Sequence, residues 1–97
     1  MLHILTRSPF HSSALAQCVS LVAENDAVLL IQDAVLASLS QNEALTALSA
    51  RGVEIYLLEP DLVARGLSII PGGELQCVDY KGFVALTLAH ETQLKWD

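Results

Sequence analysis

The stretch VEIYLLEPD, residues 53–61, shows how this chain is organised: an apolar run of β-forming residues stops abruptly at a polar turn, and a helical pattern follows. The same change follows LHILT at residues 2–6, AVLLI at residues 27–31 and LQCV at residues 75–78. Short apolar runs that alternate with helical periodicity predict βαβ units and a parallel sheet.

The predicted order of elements is β-α-β-α-β-α-β-α, and crossovers between parallel strands are right-handed in nearly all proteins. We therefore expect an α/β fold with a single domain over residues 1–97. It should be a three-layer α/β/α arrangement, with helices on both faces of a mainly parallel, four-stranded sheet. The tail, residues 92–97, is a candidate for a short extra edge strand.

The helical segments are predicted from apolar spacing and from the turn residues at their ends. The pair Ser12 and Ser13 suits the start of the first helix, Gly52 the end of the second, and Pro60 the first turn of the third. The predicted segments are residues 12–24, 33–51 with a break near Ser40, 60–65 and 80–90, with a turn at 71–73.

The composition is apolar for so short a chain: 53% of its 97 residues are apolar and 16% are charged. A domain of this size has much surface and little interior. We therefore expect part of the apolar surface to be covered by another subunit. Parallel strands that are buried on both faces also need continuous apolar runs, and this is the alternative explanation.

The net charge is −6, and the few cationic side chains are scattered along the chain. Binding to nucleic acid needs clustered cations against the phosphates, so we expect this chain to make no direct contact with nucleic acid. The longest uncharged apolar stretch is far shorter than a membrane span. The segment after Met1 soon reaches Arg7, Ser8 and Pro9, unlike a signal peptide. These features predict a cytoplasmic protein without membrane contact.

The two cysteines lie in separate apolar segments, which is typical of a reducing cytoplasm rather than of a disulfide framework. Cys18 is the candidate nucleophile. It lies more than a turn past the predicted helix start, among apolar neighbours, which favours a packed thiol over a reactive one. Cys77 lies inside the fourth predicted strand, where we expect a small buried side chain that faces the core.

The histidines His3, His11 and His90 have no metal-ligand spacing with one another or with the cysteines, so no metal site is predicted. His3 is expected to be half-buried in the first strand. His11 follows that strand and is interpreted as a surface group rather than a proton donor.

Asp33, Asp61 and Asp79 follow predicted strands, so they are expected along the carboxyl edge, where parallel sheets bind ligands. Paired carboxylates there can carry acid–base chemistry. Aspartate is also a good N-cap at such positions, and we favour capping. The loop RSPF at residues 7–10 has no glycine, so a nucleotide site of the usual kind is not supported, and no cofactor is predicted.

Several segments together resemble the TusB/DsrH family. They are LHILTRSPF at residues 2–10, VLLIQDAV at 28–35, LEPDLVARGL at 58–67, VDYKGFVALT at 78–87 and the C-terminal LKW. The resemblance covers nearly the whole chain, in order and without large gaps.

This resemblance implies a DsrE-like α/β subunit of a heterohexamer that holds two copies each of three related chains, either TusB, TusC and TusD or DsrH, DsrF and DsrE. In the Tus form, the complex receives persulfide sulfur from TusA and passes it to TusE, toward 2-thiolation of the tRNA wobble uridine. In the Dsr form, the same architecture serves sulfur oxidation. We favour the Tus form, because wobble thiolation is the commoner task.

The resemblance also bears on the cysteines. The relay cysteine of the family belongs to the TusD/DsrE subunit, in the loop after its third or fourth strand. The comparable loop here, EPD at residues 59–61, has no cysteine, which implies a non-catalytic subunit. DsrH-type members carry a cysteine in the first helix, at a position that Cys18 matches.

Two alternatives to a non-catalytic relay subunit follow. The chain could use Cys18 directly, as a sulfurtransferase or as a DsrH-type subunit in sulfur oxidation. It could also be a stand-alone, homo-oligomeric binding module of the same fold.

Overall fold

In the computed structural model, residues 1–39, 42–69 and 73–96 are described. Within them lie the strands β1 (Leu2–Leu5), β2 (Ala27–Leu30), β3 (Glu54–Leu58), β4 (Leu75–Val78) and β5 (Gln93–Trp96). The helices are α1 (Ala14–Leu21), α2 (Glu43–Ala50), α3 (Glu59–Ala64) and α4 (Tyr80–Ala89), with a 3-10 helix at Gln32–Leu39. The predicted break near Ser40 and most of the turn at 71–73 lie outside the described residues.

The strands form one sheet in the order β4-β3-β2-β1-β5, and every neighbouring pair is parallel. The predicted α/β fold is confirmed, with five strands in place of four. The fifth is the tail segment: β5 pairs with β1 along its whole length, from Leu2 beside Gln93 to Leu5 beside Trp96.

The path of the chain through the sheet decides where the helices lie. From β1 to β4 each new strand is added on the same side of the last one, so right-handed crossovers place their helices on one face. The chain then returns from β4 to the far edge at β5, and the reversed crossover places α4 on the opposite face. Residues of α1, the 3-10 helix, α2 and α3 accordingly share one core, whereas Phe83 and Leu86 of α4 pack on another.

The two cores differ in size. The strand residues of the first core are Leu5, Val28, Leu30, Ile55 and Leu57, which four helical segments cover. The second core holds Leu2, Ile4, Ala27 and Leu29, beneath α4. Because β1 and β2 are buried on both faces, they form continuous apolar runs in the sequence.

α1 ends at Leu21, before its predicted end. The Arg51 guanidinium donates from Nη1 to the carbonyl oxygen of Val19 at 2.7 Å, and from Nη2 to that of Val22. Carbonyl groups in the last turn of a helix have no partner within it, and a cation there satisfies them. The end of α1 therefore depends on a residue that is distant in sequence, which the local pattern does not reveal.

α4 begins where it was predicted to begin. Asp79 is its N-cap, and the side-chain oxygen Oδ1 accepts a hydrogen bond from the Gly82 N–H at 2.8 Å. Gly82 also lets the helix approach β4 closely, because a Cβ at this position would lie 2.8 Å from Cβ of Val78. Cap and glycine together dock the first turn of α4 against the strand that precedes it.

A chain of hydrogen bonds, centred on the buried His3, joins β1 to β5 and to the turn before β2. His3 is 1% exposed rather than half-buried, because β5 lies beside it. Trp96 Nε1–H donates to His3 Nδ1 at 3.2 Å, so the ring carries its proton on Nε2, which donates to Asp26 Oδ2 at 3.0 Å. Asp26 also accepts from the Ala23 N–H and the Met1 ammonium, each at 2.9 Å.

Asp26 holds this network together. Burial raises the pKa of its carboxyl, but the hydrogen bonds from Ala23, the terminal ammonium and His3 more than offset burial, so the pKa lies well below its usual range. A carboxyl whose pKa falls on folding stabilises the folded state above its unfolded pKa of about 3.9. That contribution is lost as the pH falls from there toward the folded pKa.

We expect Asp26→Asn to lower the free energy of unfolding at neutral pH by about 1–3 kcal/mol, because the buried His3 and the donors of Ala23 and Met1 lose a charged acceptor. The difference from wild type should shrink as the pH falls below about 4. Urea unfolding followed by circular dichroism, at neutral and acidic pH, measures both effects. Glu91→Gln, at an exposed carboxylate, is the control and should stay within about 0.5 kcal/mol of wild type. An Asp26→Asn protein of wild-type stability at neutral pH would contradict this role.

Candidate functional site

The carboxyl edge of the sheet carries an ion-paired cluster. Arg65 donates from Nε and Nη2 to Asp33 Oδ1, at 3.1 and 2.9 Å, and its Nη1 lies 3.8 Å from Asp61 Oδ1. The other Asp61 oxygen accepts the N–H of Gln32 at 2.6 Å. Gln32 has a positive φ of 51°. The two carboxylates therefore hold α3 against the start of the 3-10 helix and fix the backbone of that loop.

The three aspartates that were predicted to be helix caps have different roles. Asp79 caps α4 as predicted. The prediction is wrong for Asp33 and Asp61, because the 3-10 helix begins at Gln32 and α3 begins at Glu59. Both aspartates thus lie inside the first turn of a helix rather than before it. The structure brings Asp33 and Asp61 together through Arg65. Asp79 is not part of this cluster, because its side chain accepts the Gly82 N–H at the start of α4.

Cys18 lies on the inner side of α1 and is fully buried, as its apolar neighbours predicted. Burial, and after it the negative charge of Asp26, raises the pKa of the Cys18 thiol to about 11. A thiol with this pKa is ionised in about one molecule in ten thousand at neutral pH. Because the thiolate is the nucleophile, this environment opposes attack by Cys18.

Cys77 lies in β4, but the prediction that it is buried is wrong: the side chain is exposed. In the parallel register it lies beside Leu57, which is fully buried on the same face. β4 is an edge strand, and the helices that cover β3 do not reach over Cys77. Partial burial, and then the charge of Glu59, raises the pKa of this thiol. It is accessible without being activated.

The described residues contain no group of three or more His, Cys, Asp or Glu side chains that could hold a metal ion. His11 is exposed in the loop before α1, as expected. None of the helices in the described ranges has the length and apolar character needed to cross a bilayer.

A shallow pocket of about 300 Å³ opens between the first turns of α1 and α2. It is lined by Pro9, Ser12, Leu15, Ala16, Asn42, Glu43 and Ala44. Asn42 Oδ1 already accepts the N–H groups of Ala44 and Leu45 at the start of α2. Neither cysteine contributes to the lining of this pocket.

Sequence reasoning missed the outward side of α4. Tyr80, Val84 and Leu88 are exposed there although all three are large and apolar. Their four-residue spacing is visible in the sequence and places them on one side of a helix. The apolar excess predicted a covered surface, and this spacing is the signal that could have located it.

The chain matches the family described as DsrH like protein over residues 7–93. Protein TusB of Pectobacterium parmentieri is 40% identical over 96 residues, which are 99% of this chain and 100% of the relative. Protein TusB of Escherichia coli strain K12 is 38% identical with the same coverage of both chains.

Two solved structures share the fold. The crystal structure of the ychN protein from E. coli has a TM-score of 0.79 and 20% identity, over 98% of this chain and 97% of that one. The solution NMR structure of protein Tm0979 from Thermotoga maritima has a TM-score of 0.66 and 22% identity, over 95% and 97%. At such identities the likeness concerns the fold alone.

The two thiols should differ in their reaction with iodoacetamide. We expect Cys77 to be alkylated at least about tenfold faster than Cys18 in the folded protein, because only an accessible thiolate reacts. After unfolding in urea the two rates should converge. Peptide mass spectrometry over a time course measures each site. Cys77→Ser should abolish the fast phase, and fast labelling of Cys18 in that variant would contradict its burial.

Proposed function

The chain belongs to the DsrH-like family and is a subunit of a sulfur-relay system, and we propose that it is the TusB-type subunit. In this proposal the chain is the non-catalytic member of a cytoplasmic heterohexamer, and its partners are TusC-like and TusD-like chains. In this role the complex accepts persulfide sulfur from a TusA-like carrier and passes it to a TusE-like carrier, toward 2-thiolation of the tRNA wobble uridine. The observation that carries the proposal is the identity of about 40% to TusB proteins along the whole chain.

The environments of the thiols support a subunit that lends no relay cysteine of its own. A relay cysteine must meet its donor and its acceptor as a thiolate. Cys18 is fully buried on the inner side of α1, and the pKa of its thiol is raised to about 11. Cys77 is open to solvent, but the nearby Glu59 carboxylate works against ionisation.

The loop after β3 supports the same conclusion. Residues 59–61 form the start of α3, and Asp61 in this turn is bound to the Gln32 N–H. The family places the relay cysteine of its active subunit in a loop of this kind. Here the turn is used to join α3 to the 3-10 helix, through a carboxylate rather than a thiol.

The second candidate is a DsrH-type subunit in sulfur oxidation, with Cys18 as a sulfur-handling thiol. It is favoured by the cysteine in α1 and by the match to the DsrH-like family. For Cys18 to accept sulfur, α1 would have to move away from the first core. The full burial of Cys18 therefore favours the TusB-type role.

We expect this chain, co-expressed with its cognate TusC-like and TusD-like chains, to restore 2-thiouridine in the tRNA of a bacterium that lacks its own three subunits. Nucleoside mass spectrometry of hydrolysed tRNA measures the modification. Cys18→Ala should restore it as fully as wild type, because the sulfur passes through a cysteine of another subunit. Replacing that cysteine of the TusD-like chain by serine is the control, and should abolish thiolation.

Two outcomes would contradict the proposal. An assembled complex that leaves tRNA unthiolated would argue against the Tus-type role. Loss of thiolation in a folded, assembled Cys18→Ala complex, together with a mass increase of one sulfur on Cys18 in the wild type, would favour the alternative.

A further inference from the structure

The outward side of α4 forms an exposed apolar stripe. Tyr80, Val84 and Leu88 follow one another at four-residue spacing and are 63%, 56% and 81% exposed. Ala85 and Ala89 lie beside them and are exposed as well. These five residues, here called the α4 face, run along a ten-residue helix about 15 Å long.

The remainder of the helix is apolar too. Phe83 and Leu86 pack half-buried on the second core, and Lys81 is the one charged residue between positions 80 and 89. A helix that is apolar all round is typical of a buried position. Yet in the described chain no residue of α4 is fully buried. The composition of α4 is typical of a helix that is covered on both sides. This chain covers one side with its sheet and leaves the other side exposed.

The sheet beside α4 is also accessible. Tyr56 of β3 and Ile31, which follows β2, are half-buried on this face. A stable interface buries about 800 Å² on each partner, which is more than the outer side of a three-turn helix offers. A partner on the α4 face must therefore cover part of the adjoining sheet, where these half-buried side chains lie.

The charge of this surface narrows the choice of partner. Binding to an anionic membrane or to nucleic acid needs several cations, and the helix offers Lys81 alone in a chain of net charge −6. A second copy would bring another Lys81 and a further net charge of −6, and its carboxylates nearest α4 in sequence are Asp79, which caps the helix, and Glu91. A different chain with an apolar surface and a carboxylate opposite Lys81 complements the α4 face better.

We propose that the α4 face docks an apolar surface of another subunit of the sulfur-relay complex, and that a carboxylate of that subunit pairs with Lys81. The inference rests on the proposed function, because it takes the partner from the same complex. It specifies that the α4 side of the sheet is the side that binds the partner. It also specifies the partner's surface as apolar, with a carboxylate opposite Lys81. When the partner is bound, its apolar surface covers the exposed side of α4 and the adjoining part of the sheet.

The test is co-expression with the cognate TusC-like and TusD-like chains, followed by affinity measurement on the purified components. Leu88→Glu should weaken binding at least about a hundredfold, because it places an unpaired carboxylate in an apolar contact. Leu21→Glu is the matched control. It changes the same residue type at similar exposure, 61%, on α1 and the opposite face, and should stay within about threefold of wild type. Lys81→Glu should weaken binding about tenfold or more.

Hydrogen exchange of the wild-type complex gives an independent readout. The amides of α4 should be protected on binding more than those of α1. All three variants are checked by circular dichroism and thermal unfolding, so that a folding defect is separated from a binding defect.

The outcomes are distinct. If the wild-type chain binds no cognate subunit, the proposed function fails. If it binds and Leu88→Glu binds equally well, or Leu21→Glu loses as much as Leu88→Glu, the docking inference fails while the proposed function stands. If the isolated chain forms a dimer that Leu88→Glu dissociates, the occupant is a second copy and the inference is overturned.

Discussion

The pairing of β5 with β1 is the constraint from which the layout of this protein follows. To place β5 beside β1, the chain must travel from β4 back to the opposite edge of the sheet. A crossover in that direction keeps its right-handed geometry only if its helix lies on the other face. Four helical segments therefore build a deep core on one side, and α4 builds a thin one on the other. The exposed apolar side of α4 is a result of this path.

The same layout separates the reactive groups from one another. The deep core encloses Cys18 and raises its pKa, whereas the edge position of β4 leaves Cys77 in solvent beside Glu59. The carboxylates of the carboxyl edge are bound to Arg65 and to the Gln32 N–H, where they fix loops. Cys18 and these carboxylates are thus used to hold the fold, whereas Cys77 is not, and this arrangement agrees with the non-catalytic role proposed above.

Much of this architecture could be predicted from the sequence, because apolar runs and their polar endings are local signals. The strands, the start of α4 with its Asp79 cap and the packed setting of Cys18 all follow from such patterns. The errors have distant causes. Cys77 has the pattern of a buried strand residue, but its exposure depends on where the helical layer ends. The end of α1 depends on Arg51, and the burial of His3 depends on Trp96, at the other end of the sequence. Local periodicity carries no information about these contacts.

The hydrogen bond between His3 and Trp96 also has a consequence for the order of assembly of the fold. β1 is synthesised before the other described strands and β5 after them, and His3 and Trp96 lie 93 positions apart in the sequence. Contacts between such distant segments close a long loop and form late and slowly. Until β5 arrives, one edge of β1 presents unpaired backbone groups, which is the state in which strands pair wrongly with other chains. Nascent chains that have not yet added residues 93–96 therefore leave this edge of β1 open to incorrect pairing.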